Sequence, residues 1–156
     1  QGGIQALGRR EGLGFDSLRL ESAGRLPHLL VNSRHNGKLL TWVVDTGAEV
    51  TVMAAETVKR LGIAATPSRS KIIDASGDRA SVSTATLYDV VFGQLVVSEF
   101  QVAVTSLKTI RRTFRDRSGR PVDGIIGMDF LEESSALLDA ASKVLYIGNP
   151  SRPGLD

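Results

Sequence analysis

An acidic residue interrupts an apolar stretch of this sequence. Asp45, followed by Thr46 and Gly47, lies inside the run LLTWVVDTGAEVTVM. An ionised carboxylate in a low-dielectric interior is costly unless it is hydrogen-bonded or shares a proton with a neighbour. Two carboxylates held close together keep one proton between them, so that one acts as a base and the other as an acid. Asp45 thus needs either hydrogen-bond donors or a second carboxylate with which to share a proton.

The tripeptide Asp45 to Gly47 is a weak signal by itself. At average residue usage, a chain of this length has roughly a one-in-ten chance of containing Asp-Ser/Thr-Gly by accident. A turn-capping aspartate in a β-hairpin is the ordinary alternative. The apolar strands on both sides of the tripeptide, and the segment GIIG at Gly124 to Gly127, argue against accident.

Other residue types that carry chemistry are sparse. The chain has no cysteine, which excludes disulfides, thiolate metal sites and cysteine nucleophiles. His28 and His35 have no ligand spacing to each other or to a glutamate. We therefore expect no metal and no cofactor.

Length, composition and charge predict one globular domain. The chain has 156 residues, of which 42% are hydrophobic and 23% charged. Its net charge of +2 gives no reason to expect a nucleic-acid partner. No apolar stretch reaches the roughly 18 residues that a membrane-spanning helix needs. Because the chain begins at Gln1 and not at Met, we expect a processed product or a fragment.

Turn signals and periodicity predict a mostly β domain with one or two short helices. Asn36-Gly37 between apolar runs predicts a hairpin, and a second tight hairpin is expected around Gly93. A helix over residues 54–62 should end at Gly62, and a second short helix is expected from Met128 to Glu133. A last hairpin should close the domain.

The remaining segments predict loops and ends. Residues 1–24 are expected to be a flexible lead-in, 25–148 the domain and 149–156 a tail. The basic stretch Leu107 to Pro121 lacks periodicity, which predicts a solvated loop. A preference for acidic substrates or an acidic partner is one alternative for this stretch, and contact with nucleic acid is another.

Three segments together resemble the retropepsin-like aspartic proteases. They are WVVDTGAEVTVM, the hairpin around Gly77, and DGIIGMDFL. The resemblance is closest to the single-domain bacterial members and covers Leu26 to Ile147. It implies a closed, β-barrel-like fold with a flap hairpin. It also implies a bacterial protein, which would be periplasmic or exported if an upstream signal or anchor was removed and otherwise cytoplasmic.

The resemblance assigns roles to particular residues. Asp45 is the catalytic acid, and its loop is shaped by Thr46, Gly47 and Ala48. The flap, at about residues 71–82, and the substrate-binding surface would include Ile72, Ile73, Ala75, Ser76, Gly77 and Val82. The active-site loop would be supported from behind by Gly124, Ile125, Ile126 and Gly127. Viral members commonly carry an arginine after the supporting segment, whereas this chain has Met128.

A single Asp-Thr-Gly motif has a consequence for assembly. Neither IDASG at Ile73 to Gly77 nor VDGI at Val122 to Ile125 matches the motif. A dyad therefore requires a homodimer in which each chain contributes Asp45. The expected substrate is a polypeptide bound in extended conformation, because a β-rich cleft offers backbone hydrogen bonds to a strand. The alternative is a non-catalytic module that keeps the fold for dimerisation or peptide binding.

Overall fold

The structure is a computed structural model. It describes the backbone of residues 13–73 and 79–153 and the side chains of residues 15–68 and 81–148. The strands within these ranges are β1 (Leu13–Arg19), β2 (Glu21–Ala23), β3 (Leu26–His35), β4 (Lys38–Val44), β5 (Val52–Ala54), β6 (Thr66–Ile73), β7 (Arg79–Phe92), β8 (Leu95–Thr105), β9 (Gly124–Ile126), β10 (Leu137–Asp139) and β11 (Val144–Pro153). The helices are α1 (Ala55–Leu61), α2 (Lys108–Ser118) and α3 (Met128–Glu133).

The first hairpin forms where the Asn-Gly pair predicts it. Strands β3 and β4 are antiparallel, with His35 opposite Lys38. The two residues between them, Asn36 and Gly37, have φ angles of 50° and 76°. A two-residue turn with both φ angles positive fits the right-handed twist of the paired strands. The predicted hairpin around Gly93, the helix that ends at Gly62 and the short helix α3 are also confirmed.

The sheet topology brings β9 between the two strands that flank the Asp45 loop. The described strands form a three-stranded sheet, β1-β11-β10, and an eight-stranded sheet, β2-β3-β4-β9-β5-β8-β7-β6. Strand β9 is parallel to β4 and antiparallel to β5. The chain leaves β4 at Val44 and returns at the start of β5, so β9 lies directly beneath the loop between them.

The main core lies on one face of the central strands. Alternate residues of β4, namely Leu40, Trp42 and Val44, belong to this core and are at most 8% exposed. The ring of Trp42 packs edge-on against Phe100, with ring centroids 5.4 Å apart. This aromatic contact fixes the central strands relative to β8.

The mostly β prediction is confirmed, but the closed barrel is not. The described strands are divided between two sheets, and one additional pairing, Arg34 with Val91, joins β3 to β7. The eight-stranded sheet therefore folds back on itself at one bridge without forming a true barrel. Among the described residues, no helix has the length and apolar character needed to span a membrane.

Two parts of the predicted ends are strands. Residues 13–23 were expected in a flexible lead-in, but they form β1 and β2, and Leu18 and Ala23 are 5% and 0% exposed. Residues 149–153 were expected in a tail, but they continue β11. Strand β1 pairs antiparallel with β11, from Arg19 opposite Val144 to Leu13 opposite Pro153. The first and last described strands thus stabilise each other through pairing.

The basic stretch before β9 is helical, and the loop prediction is wrong. Helix α2 ends at Ser118, and the next residue, Gly119, caps it with a left-handed φ of 87°. The side chain of Phe114 is 6% exposed and packs into a second cluster with Val43 and Val122. Burial of this one face stabilises the helix, while most of its basic residues remain exposed.

Candidate active site

Asp45 lies directly after β4, and its backbone extends the ladder with β9. The Asp45 N–H donates to the Ile126 carbonyl at 3.0 Å, and the Asp45 carbonyl accepts from the Ala48 N–H at 3.1 Å. Its carboxylate oxygen Oδ1 accepts the Gly47 N–H at 2.9 Å. The side chain is only partly buried in the single chain, and Thr46 beside it is exposed. The carboxylate is therefore held by the backbone but open on one side.

Gly47 is constrained by its distance to the carboxylate. A Cβ atom at this position would lie 3.2 Å from Asp45 Oδ1, closer than such contacts ordinarily are. A larger residue would therefore displace either the loop or the carboxylate. This supports the expectation that the turn needs glycine here.

The four residues expected to support the loop lie in and beside β9. Ile125 pairs with Val43 and Ile126 with Val44. A Cβ at Gly127 would lie 2.6 Å from the Val50 carbonyl carbon and oxygen. Gly127 therefore lets the backbone after β9 approach the Asp45 loop closely. At Gly124, a Cβ would enter the space of the Trp42 ring and lie 2.5 Å from the Val52 oxygen.

Thr51 and Asp129 complete the support, and neither residue was predicted from the sequence. The Thr51 hydroxyl accepts the Gly127 N–H at 3.1 Å and donates to Asp129 Oδ1 at 2.7 Å. The Thr51 N–H donates to Asp129 Oδ2 at 3.0 Å. Two backbone bonds run alongside, from the Met128 N–H to Ala48 and from the Asp129 N–H to Glu49. This set joins the second half of the Asp45 loop to the start of α3.

A buried carboxylate, Asp123, connects the strands behind the loop. It is 8% exposed. Its side chain accepts the Thr41 N–H at 2.9 Å and the Thr57 hydroxyl at 2.8 Å, and Arg111 Nη1 lies 3.3 Å away. A charged group so deep needs this compensation. The sequence does indicate a buried carboxylate here, because Asp123 stands in an apolar run just as Asp45 does. Its neighbours in sequence, however, do not indicate that Arg111 is its partner.

Glu56 joins α1 to the start of α2. Its carboxylate accepts the Ser106 hydroxyl at 2.6 Å and the Leu107 N–H at 3.0 Å. Burial raises the pKa of Glu56, but the hydrogen bonds from Ser106 and Leu107 together outweigh it, so the pKa lies below its ordinary value. The ionised form is thus the one that the fold stabilises.

The predicted flap residues are only partly within the described chain. In the β6–β7 hairpin, Ile72 pairs with Ala80 and Ile73 with Arg79. Ala75, Ser76 and Gly77 lie outside the described residues. Val82 is 5% exposed, so in the single chain it offers little surface to a substrate.

A cleft of about 660 Å³ lies away from Asp45, between β8 and α3. Its walls include Phe100, Phe130, Glu133 and Asp129. Asp45 does not line this cleft.

Solved structures share this fold. A retropepsin-like aspartic protease from Rickettsia conorii has a TM-score of 0.58 and 20% identity, covering 87% of this chain and 91% of that one. The retroviral protease-like domain of Ddi1 from Leishmania major has a TM-score of 0.55 and 19% identity, covering 83% and 93%. The fold is therefore retropepsin-like.

Curated relatives match at the level of sequence. Protein DDI1 homolog 1 of Homo sapiens is 26% identical over 128 residues, which are 82% of this chain and 30% of the relative. DNA damage-inducible protein 1 of Cryptococcus neoformans is 26% identical over 137 residues, 86% and 29% of the two chains. This chain therefore spans about a third of the length of these relatives. The family model described as aspartyl protease matches residues 31–130, which include Asp45, its loop and β9. The chain belongs to this aspartyl protease family.

Proposed function

We propose that this chain is an aspartic endopeptidase whose catalytic dyad consists of Asp45 from each of two copies. The observation that carries the proposal is the state of Asp45: its carboxylate is fixed by the Gly47 N–H and open on the other side. A rigid carboxylate at a surface can meet a second copy across a twofold axis without rearrangement. The retropepsin-like fold and the family membership support a protease-type activity.

The proposed reaction uses the two carboxylates in turn. With one proton shared between them, the ionised Asp45 takes a proton from water while the water oxygen bonds to the carbonyl carbon of the peptide. The protonated Asp45 of the partner copy gives its proton to the carbonyl oxygen. The tetrahedral intermediate then collapses and its C–N bond breaks. The leaving amine takes the proton from the carboxyl group that received it from water, and one hydroxyl of the intermediate gives its proton to the other carboxylate, so the pair again holds one proton. The apparent pKa values of this reaction belong to the pair.

The neighbouring residues have proposed roles in the same site. The hydroxyl of Thr46, exposed in the single chain, would tie the two Asp45 loops together. Gly47 and Ala48 keep the loop narrow, and β9 supports it from behind. The β6–β7 hairpin would fold over an extended polypeptide substrate and add backbone hydrogen bonds. Ile72, Ile73 and the remaining residues that the sequence assigns to the flap are proposed to contact that substrate.

Replacement of Asp45 tests the proposal. We expect the wild type to cleave a denatured protein at about pH 4 to 6, where a dyad carries one shared proton. Asp45→Asn should lose this activity, whereas Asp116→Asn, an exposed carboxylate on α2, should retain it. Equal cleavage by the wild type and Asp45→Asn would contradict the proposal. A dimer without cleavage in any variant would favour the non-catalytic module.

A mixing experiment tests the shared dyad separately. Equal amounts of wild type and Asp45→Asn are unfolded, mixed and refolded together. If a dimer needs two aspartates and copies pair at random, activity falls to about one quarter of that of wild type at the same total concentration. Independent monomers would retain about one half. Retention of one half, or activity from a species that sediments as a monomer, would contradict the dimeric dyad.

A further inference from the structure

Strand β8 has one edge that is open along most of its length. On one side it pairs with β7 between Leu95 and Val104. On the other side β5 pairs only with residues 103–105 of β8. Among the described strands, no further one pairs with β8. The part of β8 before residue 103 therefore has no neighbouring strand on the β5 side.

Backbone groups of β8 point out of the sheet at this open edge. In an antiparallel pair, alternate residues direct both N–H and C=O to the partner strand, and the residues between them direct both to the other side. The Ala103 N–H donates to the Thr51 carbonyl at 3.0 Å, on the β5 side. Glu99 and Gln101 pair with β7 in the same register as Ala103, so their backbone groups point to that side as well. Within the described residues, no hydrogen bond occupies these outward groups.

The open edge faces the cleft between β8 and α3. Glu99 and Gln101 both line this cleft, and α3 contributes Phe130 to the opposite wall. The Phe130 side chain is half-buried, and its ring centroid lies 5.1 Å from that of Phe100. The cleft volume of about 660 Å³ falls within the range of roughly 300–1,000 Å³ that is typical of ligand sites. The cleft thus combines unpaired backbone groups with an apolar wall.

The charged side chains around the cleft are all acidic. They are Glu99, Asp129 and Glu133, and each of them is exposed. No lysine, arginine or histidine lines the cleft within the described chain. The ion pairs between described residues involve none of the three carboxylates. The charge of the cleft therefore favours an occupant with basic side chains.

We propose that this cleft binds an extended polypeptide segment of a partner protein, with alternating apolar and basic side chains, as a strand added to β8. The outward N–H and C=O groups of Glu99 and Gln101 supply its backbone hydrogen bonds. Phe100 belongs to the main core, whereas Glu99 is exposed on the opposite face of β8. Side chains of an added strand alternate in the same way. Its apolar side chains lie on the Phe130 side, and its basic side chains lie beside Glu99.

Binding of a defined peptide to the full chain tests the proposal. The probe is a fluorescein-labelled peptide of about eight alternating lysine and valine residues, the length of an ordinary strand. Its matched control carries glutamate in place of lysine. Fluorescence anisotropy at neutral pH should show binding of the lysine peptide alone. Glu133→Lys should raise its Kd by about 10-fold, because an attraction becomes a repulsion. Glu132→Lys changes the net charge equally on an exposed residue of α3 outside the cleft, and it should leave the Kd within about twofold.

Gln101→Pro tests the backbone pairing. Proline removes the outward N–H of residue 101, whereas the hydrogen bonds between β8 and β7 do not use this group. We expect the Kd of the lysine peptide to rise by about 10-fold. Gln101→Ala keeps the N–H and should bind as the wild type does. Thermal melting establishes that Gln101→Pro is folded. If it is not folded, Glu99→Lys supplies a second measurement, with an expected rise in Kd of about 10-fold.

Several outcomes would overturn the proposal. They are no binding of the lysine peptide to the wild type, equal binding of the two peptides, and equal effects of Glu133→Lys and Glu132→Lys. Binding that appears only after removal of residues 1–12, which include Arg9 and Arg10, would assign the cleft to this segment of the chain itself. Loss of peptide binding as the chain self-associates in sedimentation would assign it to a second copy. Either result contradicts a separate partner.

Discussion

The Thr51 hydroxyl is expected to stabilise the Asp45 loop more than its size suggests. The side chain is 1% exposed. Its oxygen accepts the buried Gly127 N–H and donates to the carboxylate of Asp129. Thr51→Val keeps the shape of the side chain and removes both hydrogen bonds. The substitution thus isolates the hydroxyl from the volume that it fills.

The cost follows from the two groups that lose their partner. A buried N–H left without an acceptor costs about 1–3 kcal/mol, and a hydrogen bond to a charged group contributes about 1.5–3 kcal/mol. Asp129 is exposed, so water replaces part of the second contribution. We expect Thr51→Val to lower the free energy of unfolding by about 3 kcal/mol. Thr51→Ser keeps the hydroxyl and loses one buried methyl group, at a cost of about 1 kcal/mol.

Urea unfolding at neutral pH measures the difference. All variants are compared at one protein concentration, because dimer formation would add a concentration-dependent contribution. Asp129→Ala should lower the free energy of unfolding less in the Thr51→Val background than in the wild type, because the hydroxyl bond between the two side chains is already absent there. If Thr51→Val is as stable as Thr51→Ser, the hydroxyl does not hold the loop.

Three further substitutions probe the same framework. Gly127→Ala should lower stability by more than about 2 kcal/mol and reduce cleavage, because its Cβ would lie 2.6 Å from the Val50 backbone; a melting temperature equal to wild type would contradict this. Glu56→Gln should reduce the loss of stability at acid pH. The lowered pKa of Glu56 stabilises the fold at pH values above its ordinary pKa of 4.5, and this stabilisation is lost as the pH falls through the lower folded-state pKa. An unchanged pH dependence of the free energy of unfolding would contradict this expectation. Asp123→Asn should lower the free energy of unfolding in urea by about 3 kcal/mol, because it leaves the Arg111 cation poorly compensated. The exposed control Asp116→Asn should leave that free energy almost unchanged. Equal losses in the two variants would contradict the role of the buried pair.

Local signals were sufficient for much of the fold. The hairpin at Asn36-Gly37 and the end of α1 at Gly62 depend on backbone conformations that only a few residue types favour. Such requirements can be read from neighbouring residues alone. The strand positions around Asp45 followed in the same way from their apolar runs.

The segments that were predicted wrongly depend on partners far away in sequence. Strand β1 is held by β11, more than a hundred residues later, so a glycine-rich start gave no indication of pairing. Helix α2 looked like a basic loop because its buried face is narrow and consists mainly of Ile110 and Phe114. Its Arg111 is anchored by Asp123, which lies beyond the end of the helix. No local pattern contains these interactions.

The two aspartates that interrupt apolar runs show why the site could be located but not described from sequence. A buried carboxylate needs compensation, and this requirement was applied to Asp45 alone, although it holds for Asp123 as well. Asp123 is the one that is buried, and it has Arg111, Arg60 and two further donors around it. Asp45 is only partly buried, and within the described chain its carboxylate accepts one backbone N–H and faces no cation. Compensation from inside the chain makes Asp123 structural, whereas Asp45 keeps an oxygen available for a proton, a water molecule or a second carboxylate.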